Sequence, residues 1–222
     1  MSFQQDYLLR MLQDVAGLMT RIVRMRRQGE SEEALALLVG ESSRLSGIPE
    51  SLVYALSDDD LVNTLQARGV LETERCYALA ELFREEGEIY LDRNQPAEAS
   101  LRLTKAVRLY TVALRHAEPE SEVIQLDGLR DTLRHLSANE LSDASLDALL
   151  EELMNRGAYD LVDNALYELL ESPEGQLAHR ETAEALYRQI LHASDYALSQ
   201  VNLDRSEIEE SLASLDDDLA WR

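Results

Sequence analysis

Residues 73–116 read TERCYALAELFREEGEIYLDRNQPAEASLRLTKAVRLYTVALRH, two helical patterns joined by a three-residue corner. In the first pattern apolar residues return every three or four positions between Tyr77 and Tyr90, and the second pattern runs to His116. The corner is Asn94-Gln95-Pro96, and Pro96 suits the first turn of a helix because an N–H there would lack an intrahelical partner. Two helices with so short a link pack antiparallel. This stretch therefore predicts a helical hairpin.

The sequence before this stretch predicts another helical pair. Gly29 supplies a left-handed stop for a first helix over residues 4–28, and a second helix restarts at Glu30 and ends where Ser46 to Pro49 break the pattern. The first helix has one broad apolar stripe, made of Tyr7, Leu8, Met11, Leu12, Val15, Leu18, Met19, Ile22 and Met25.

The remaining sequence predicts further helices and no strand. Ser57, Ser142 and Ser194 each precede an Asp and are suited to cap a helix N-terminus. The further helices are predicted near residues 50–56, 58–67, 120–136, 143–156, 158–171, 174–193 and 205–215.

The hairpin resembles one tetratricopeptide unit, in which small residues lie where two helices cross closely. Glu86 and Thr111 stand where that family usually has Leu and Pro. The residues that carry the resemblance are Phe83, Gly87 and Tyr90 on the first helix and Ala99, Leu103 and Ala106 on the second. Similar corners at Ala34 and Val162 are separated from the one at Ala99 by about twice the roughly 34 residues of tandem units.

The whole chain resembles an uncharacterised bacterial family of tetratricopeptide-like proteins, from the opening residues 3–11 through the Glu85–Tyr90 centre. The resemblance implies an all-α fold, with antiparallel helix pairs stacked as a right-handed superhelix with interrupted repeats. We expect a single domain over 1–215, followed by an acidic tail over 216–222. The resemblance implies no activity.

Composition restricts the compartment and the partners. The chain has a formal net charge of −22, which repels phosphate backbones, so we expect no nucleic acid partner. No run of about 18 apolar residues is present, so we expect no membrane partner either. Cys76 is the single cysteine, and no signal peptide or membrane-spanning stretch is evident, so we predict a cytoplasmic protein.

The sequence offers no arrangement typical of catalysis, a cofactor or a metal. The four histidines are scattered, and no glycine-rich phosphate loop is present. Glu81, Glu85 and Glu88 lie one turn apart, and we interpret them as a solvent-exposed helix face. We therefore predict a protein that is not an enzyme.

Arginines near the end of the first helix are the best candidates for partner binding. Arg21, Arg24 and Arg27 recur every third residue, and guanidinium groups suit carboxylates or phosphates. The alternative is that these cations complement the helix dipole and pair with Glu30, Glu32 and Glu33.

Tyrosines are the second set of candidates, because tyrosine at a groove edge favours recognition. Ordinary packing at the edge of the core is the alternative. We expect Tyr77, Tyr90, Tyr110 and Tyr187 to matter most.

The leading hypothesis is a non-enzymatic adaptor or scaffold that binds another protein or peptide. One alternative is a small-ligand binding protein or hydrolase that uses acidic residues in a pocket between helices. Another is self-association, such as a homodimer in which the first helix or the tail with Trp221 docks on another copy.

Overall fold

The computed structural model describes residues 3–67, 69–117 and 125–217, and within these ranges the chain is almost entirely helical. The helices are α1 (Phe3–Gln28), α2 (Ser31–Ser46), α3 (Glu50–Val53), α4 (Asp58–Thr64), α5 (Thr73–Asp92), α6 (Pro96–His116), α7 (Asp127–Leu133), α8 (Asp143–Asn155), α9 (Tyr159–Leu170), α10 (Pro173–Ile190), α11 (Asp195–Gln200) and α12 (Arg205–Asp217). A 3₁₀ turn over Ala138–Glu140 precedes α8. The predicted all-α class is confirmed.

Local sequence signals place most helix ends correctly. Ser57 caps α4 by accepting a hydrogen bond from the Asp60 amide at 3.2 Å, and Ser142 caps α8 in the same way. Gly29 ends α1 with a φ of +79°, a left-handed conformation that costs glycine little. The predicted cap at Ser194 is also present, and it opens the short helix α11, which the sequence did not predict as a helix.

Three segments differ from the predicted helices, and the first is the helix predicted over 50–56, which ends at Val53. The helix predicted over 58–67 ends at Thr64, and Gln66–Ala67 then pairs antiparallel with Val70–Leu71 around Gly69. In the segment predicted as helix 120–136, α7 spans Asp127–Leu133, and residues 118–124 lie outside the described part of the chain.

The chain forms two compact units, Met1–Leu136 and Ser137–Arg222. In unit 1, α6 and α2 both pack against α5, and α1 contacts both α2 and α5. In unit 2, α10 packs against α9 and α12, and α8 packs against α9. The single domain predicted over 1–215 stays a prediction. Of the predicted tail, Asp216 and Asp217 belong to α12, and residues 218–222 lie outside the described residues.

The described helices include none with both the length and the apolar character that a membrane crossing requires.

The α5–α6 pair crosses closely at Gly87. A Cβ added to this glycine would lie 2.5 Å from Leu103 Cδ2 and 3.5 Å from the Ala99 carbonyl oxygen. Leu103 is fully buried and Ala99 lies beside it, so neither can move aside freely. The small residue at position 87 therefore sets the distance between the two helices.

We expect Gly87→Ala to lower the free energy of unfolding by about 1–2 kcal/mol, because overpacking the crossing outweighs the gain in helix propensity. Gly40→Ala is the matched control: Gly40 also lies within a helix, but an added Cβ would have no neighbour within 4 Å. The control should gain about 0.5–1 kcal/mol. Urea unfolding followed by circular dichroism measures both changes, and equal effects would contradict a close crossing at Gly87.

Candidate functional site

Arg26 connects α1 to α5 through three carboxylates. Its Nη1 donates to Glu85 Oε1 and to Glu88 Oε2, both at 2.6 Å. Its Nε and Nη2 donate to Asp92 Oδ2 at 2.9 and 2.7 Å. The three acids lie on one face of α5 because they follow one another at intervals of three and four residues.

Arg84 approaches the same carboxylates along α5 itself. It pairs with Glu81 at 3.0 Å, Glu88 at 2.5 Å and Glu85 at 3.5 Å. Glu85 is only 2% exposed, and both guanidinium groups are largely covered. We call Arg26, Arg84, Glu81, Glu85, Glu88 and Asp92 the α1–α5 charge cluster.

Burial and ion pairing together shift the pKa values of groups in this cluster. Burial raises the pKa of Glu85 above its usual value, although the hydrogen bond from Arg26 opposes the shift. Burial also works against the charge of Arg26, but hydrogen bonds to Glu88, Glu85 and Asp92 outweigh it and raise the pKa. The partners of Arg26 therefore more than compensate for its burial, whereas those of Glu85 compensate only in part.

Two interpretations from the sequence are wrong here. The acids Glu81, Glu85 and Glu88 do not form a solvated face, because α1 and Arg84 cover them. The arginines of α1 do not pair with the acids that open α2, since Arg26 reaches α5 instead. Glu32 pairs with Arg93 at 3.3 Å.

A surface groove of about 460 Å³ lies beside the charge cluster. Arg27, Val23 and Asp131 line it together with Arg26, Arg84, Glu85, Glu88 and Asp92. The groove is therefore rich in charges of both signs, and most of them are already paired with each other.

The three predicted arginines lie outside this cluster. Arg21, Arg24 and Arg27 are exposed, and none of them forms an ion pair with a described residue. The buried residues Ile22 and Met25 lie between them in sequence and anchor α1 to unit 1. The structure thus presents an exposed row of guanidinium groups, which we call the α1 arginine face.

A second group of polar residues surrounds Glu86, which is fully buried. Tyr54 Oη donates to Glu86 Oε1 at 2.7 Å, and Arg102 Nε donates to Glu86 Oε2 at 3.2 Å. The Arg102 guanidinium lies over the rings of Tyr54 at 4.5 Å and Tyr90 at 5.4 Å. Burial raises the pKa of Glu86 to about 7, and the hydrogen bonds only partly oppose this.

The predicted tyrosines occupy different environments. Tyr90 is half-buried beside Arg102, and Tyr77 is half-buried in edge-to-face contact with Tyr110, with ring centroids 5.5 Å apart. Tyr110 is fully buried and Tyr187 is 2% exposed, so their rings belong to the core. The side chain of Tyr187 hydrogen bonds with Asp163 in unit 2.

Four residues of these two polar clusters were not among the candidates selected from the sequence: Arg26, Glu86, Tyr54 and Arg102. Glu86 could have been found, because it lies on the apolar face of α5 between Leu82 and Ile89. An acid in such a position requires a buried partner. Among the described residues, no group of three or more His, Cys, Asp or Glu is placed to hold a metal ion.

One protein family matches this chain. Its model, described as "Family of unknown function (DUF6483)", matches residues 2–220. No curated protein and no solved structure matched the chain.

Proposed function

The chain belongs to this family of unknown function, and we propose that it is a non-enzymatic adaptor or scaffold that binds an acidic segment of another protein. The α1 arginine face, Arg21, Arg24 and Arg27, is the proposed binding surface. We place this activity in the cytoplasm, which agrees with a single, buried cysteine.

The observation that carries the proposal is that these three arginines form no ion pair within the described part of the chain. The chain has 43 acidic and 21 basic residues, so an exposed arginine has many carboxylates available to it. Arg26 pairs with three of them, but its three neighbours pair with none among the described residues. Residues 1–28 carry five Arg and two Asp, so this part of an otherwise acidic chain attracts carboxylates locally.

The spacing of the arginines suits a peptide or helix. Residues three apart on a helix lie about 5–6 Å from one another at Cβ, so the face offers successive donors along one side of α1. Arginine binds carboxylate in a bidentate manner, which gives orientation as well as attraction. The anchoring of α1 by Arg26, Ile22 and Met25 supports a preorganised surface.

We also propose that the helix pairs of unit 1 pack in a tetratricopeptide-like manner. The close approach of Gly87 to the Ala99 turn of α6 supports this, because small residues occupy these two positions in such a unit.

A photo-crosslinking amino acid at Gln28, beside the arginine face, should capture the partner, and the same label at Gln200 on α11 serves as the control position. The protein captured at Gln28 is then purified and titrated against the wild type. Reversal of the face by Arg21→Glu, Arg24→Glu and Arg27→Glu should weaken binding at least about tenfold, because like charges then face each other.

The matched control reverses Arg44, Arg134 and Arg188, which are exposed and already paired with an acid three or four residues away. It changes the net charge equally and should retain binding. If both variants lose the same affinity, the effect comes from net charge alone. If both retain the affinity of the wild type, the α1 arginine face is not the binding surface.

A second candidate function is small-ligand binding in the groove beside the charge cluster. Glu85 favours it, because a buried carboxyl with a raised pKa beside a groove is typical of functional sites. Arg26 and Arg84 already satisfy the carboxylates there, so a ligand would have to displace an existing ion pair. We therefore favour the arginine face.

A further inference from the structure

Unit 2 contains a groove of about 430 Å³ between α9, α10 and α12. Leu170, Tyr187 and Leu215 give it apolar walls, and Ser211 and Ser214 contribute hydroxyl groups. Small-molecule sites have this kind of lining, in which apolar side chains predominate and a few polar groups orient the ligand. The groove therefore suits a small ligand that has both an apolar part and a polar part.

One arginine of α10, Arg180, is half-buried and has no partner among the described residues. Its Nη2 is buried without a hydrogen-bond partner, and its guanidinium forms no ion pair. The other two half-buried arginines in the described part of unit 2 are paired, since Arg156 donates to Glu152 and Arg205 donates to Asp195, both at 2.9 Å. A half-buried guanidinium without a counterion is costly, because burial removes part of its hydration and nothing replaces it.

Arg180 lies on the face of α10 that lines the groove. Gln176 and Tyr187 are the α10 residues that line it. Arg180 follows Gln176 by four residues and precedes Tyr187 by seven, and residues four and seven apart share a helix face. The three residues span three turns, or about 16 Å, with Arg180 between the other two. The α10 side of the groove therefore carries a guanidinium that is not paired with an acid of the described chain.

The α9 side of the groove has a different character. Tyr167 lines the groove from this helix and is 67% exposed, so its ring is accessible to a ligand. Glu171, one turn later, is the acid among the lining residues, and it is exposed just after the end of α9, where water screens its charge. The α9 side therefore suits the apolar part of a ligand, and the α10 side suits an anionic part.

We propose that the unit 2 groove binds a small carboxylate that carries an aromatic or other apolar group, with Arg180 as the partner of the carboxylate and Tyr167 and Leu170 against the apolar group. The planar guanidinium fork matches a carboxylate in a bidentate manner, which fixes the orientation of the ligand. The ligand supplies the counterion that Arg180 lacks within the described chain. The proposal concerns unit 2 and does not depend on the α1 arginine face.

Phenylacetate is the probe, because it combines one carboxylate with one aromatic ring. In a titration of the full chain followed by ligand-observed NMR, it should bind about tenfold more tightly than phenylacetamide, which has the same shape without the charge. Arg180→Gln should abolish this preference, and Tyr167→Ala should weaken the binding of both compounds. Arg180 has no ion pair to lose and Tyr167 is exposed, so both variants should keep the fold.

The matched control is Arg188→Gln, which removes the same group from the same helix, but Arg188 is exposed and already pairs with Glu184. It should keep the tenfold preference for phenylacetate. A wild type that does not bind phenylacetate, or that binds both compounds equally, would overturn the proposal, and neither measurement needs a variant. Equal affinities of the Arg180 and Arg188 variants for phenylacetate would overturn it as well. Binding that is lost only on reversal of the α1 arginine face would place the carboxylate on α1 and exclude the unit 2 groove.

Discussion

Replacement of Arg26 by alanine is expected to lower the free energy of unfolding by about 3–5 kcal/mol, because buried carboxylates would lose their counterion. Glu85 is 2% exposed and Glu88 is 20% exposed, so water replaces the guanidinium group poorly, above all at Glu85. Arg84 would remain, but it cannot by itself balance Glu81, Glu85 and Glu88. Urea unfolding at low ionic strength measures the change.

Arg24→Ala is the control for this experiment. It removes the same side chain from the same helix, but Arg24 is exposed and has no ion pair among the described residues. Its effect should stay within about 0.5 kcal/mol. A similar cost for the two substitutions would show that the charge cluster contributes little to the attachment of α1.

Replacement of Glu86 by glutamine is expected to raise the free energy of unfolding at pH 8 by an amount on the order of 3 kcal/mol. The pKa of Glu86 is about 7 in the folded protein, against an ordinary value of 4.5. Between about pH 4.5 and 7 the folded state therefore holds a proton that the unfolded state has released, and the stability falls as the pH rises through this range. Glutamine stays neutral and still accepts the hydrogen bond from Tyr54.

The comparison of wild type and Glu86→Gln across pH isolates this group from the many other acids. The difference between the two should shrink below about 1 kcal/mol at pH 5, where Glu86 is protonated in the folded state. Glu33→Gln, at an exposed position, should show no such trend. If Glu86→Gln is instead the less stable protein at pH 8, the ion pair with Arg102 outweighs the cost of burying the carboxylate.

These two experiments also bear on the proposed function. Arg26 attaches α1 to α5, and the Glu86 group joins α2, α3 and α5 with α6 through Ser42, Tyr54 and Arg102. The α1 arginine face depends on the first connection for its position. The Arg26→Ala variant, in which α1 is held less firmly, should therefore bind an acidic partner less tightly even though Arg21, Arg24 and Arg27 are unchanged.

The sequence alone was sufficient to predict most of the helices and many of the residues at which they begin and end. Apolar residues at every third or fourth position specify a helix, and local residues specify its limits, such as Ser57 before α4, Gly29 after α1 and Pro96 at the start of α6. These signals act between residues a few positions apart, so they can be read without knowing the fold. The short strand pair at 66–71 and the helix α11 are the exceptions, and both are only a few residues long.

Tertiary structure alone decided which charged and aromatic residues are available at the surface. Arg24 and Arg26 are two positions apart in sequence, yet one is exposed and the other lies among three acids that are 59 to 66 positions away. Tyr110 and Tyr90 looked equivalent, yet one is fully buried and the other lies beside Arg102. Periodicity gives the face of a helix on which a residue lies, but not the helix that packs against it. The cost of a buried charge depends on that neighbour, so only the folded chain separated the exposed Arg24 from the paired Arg26.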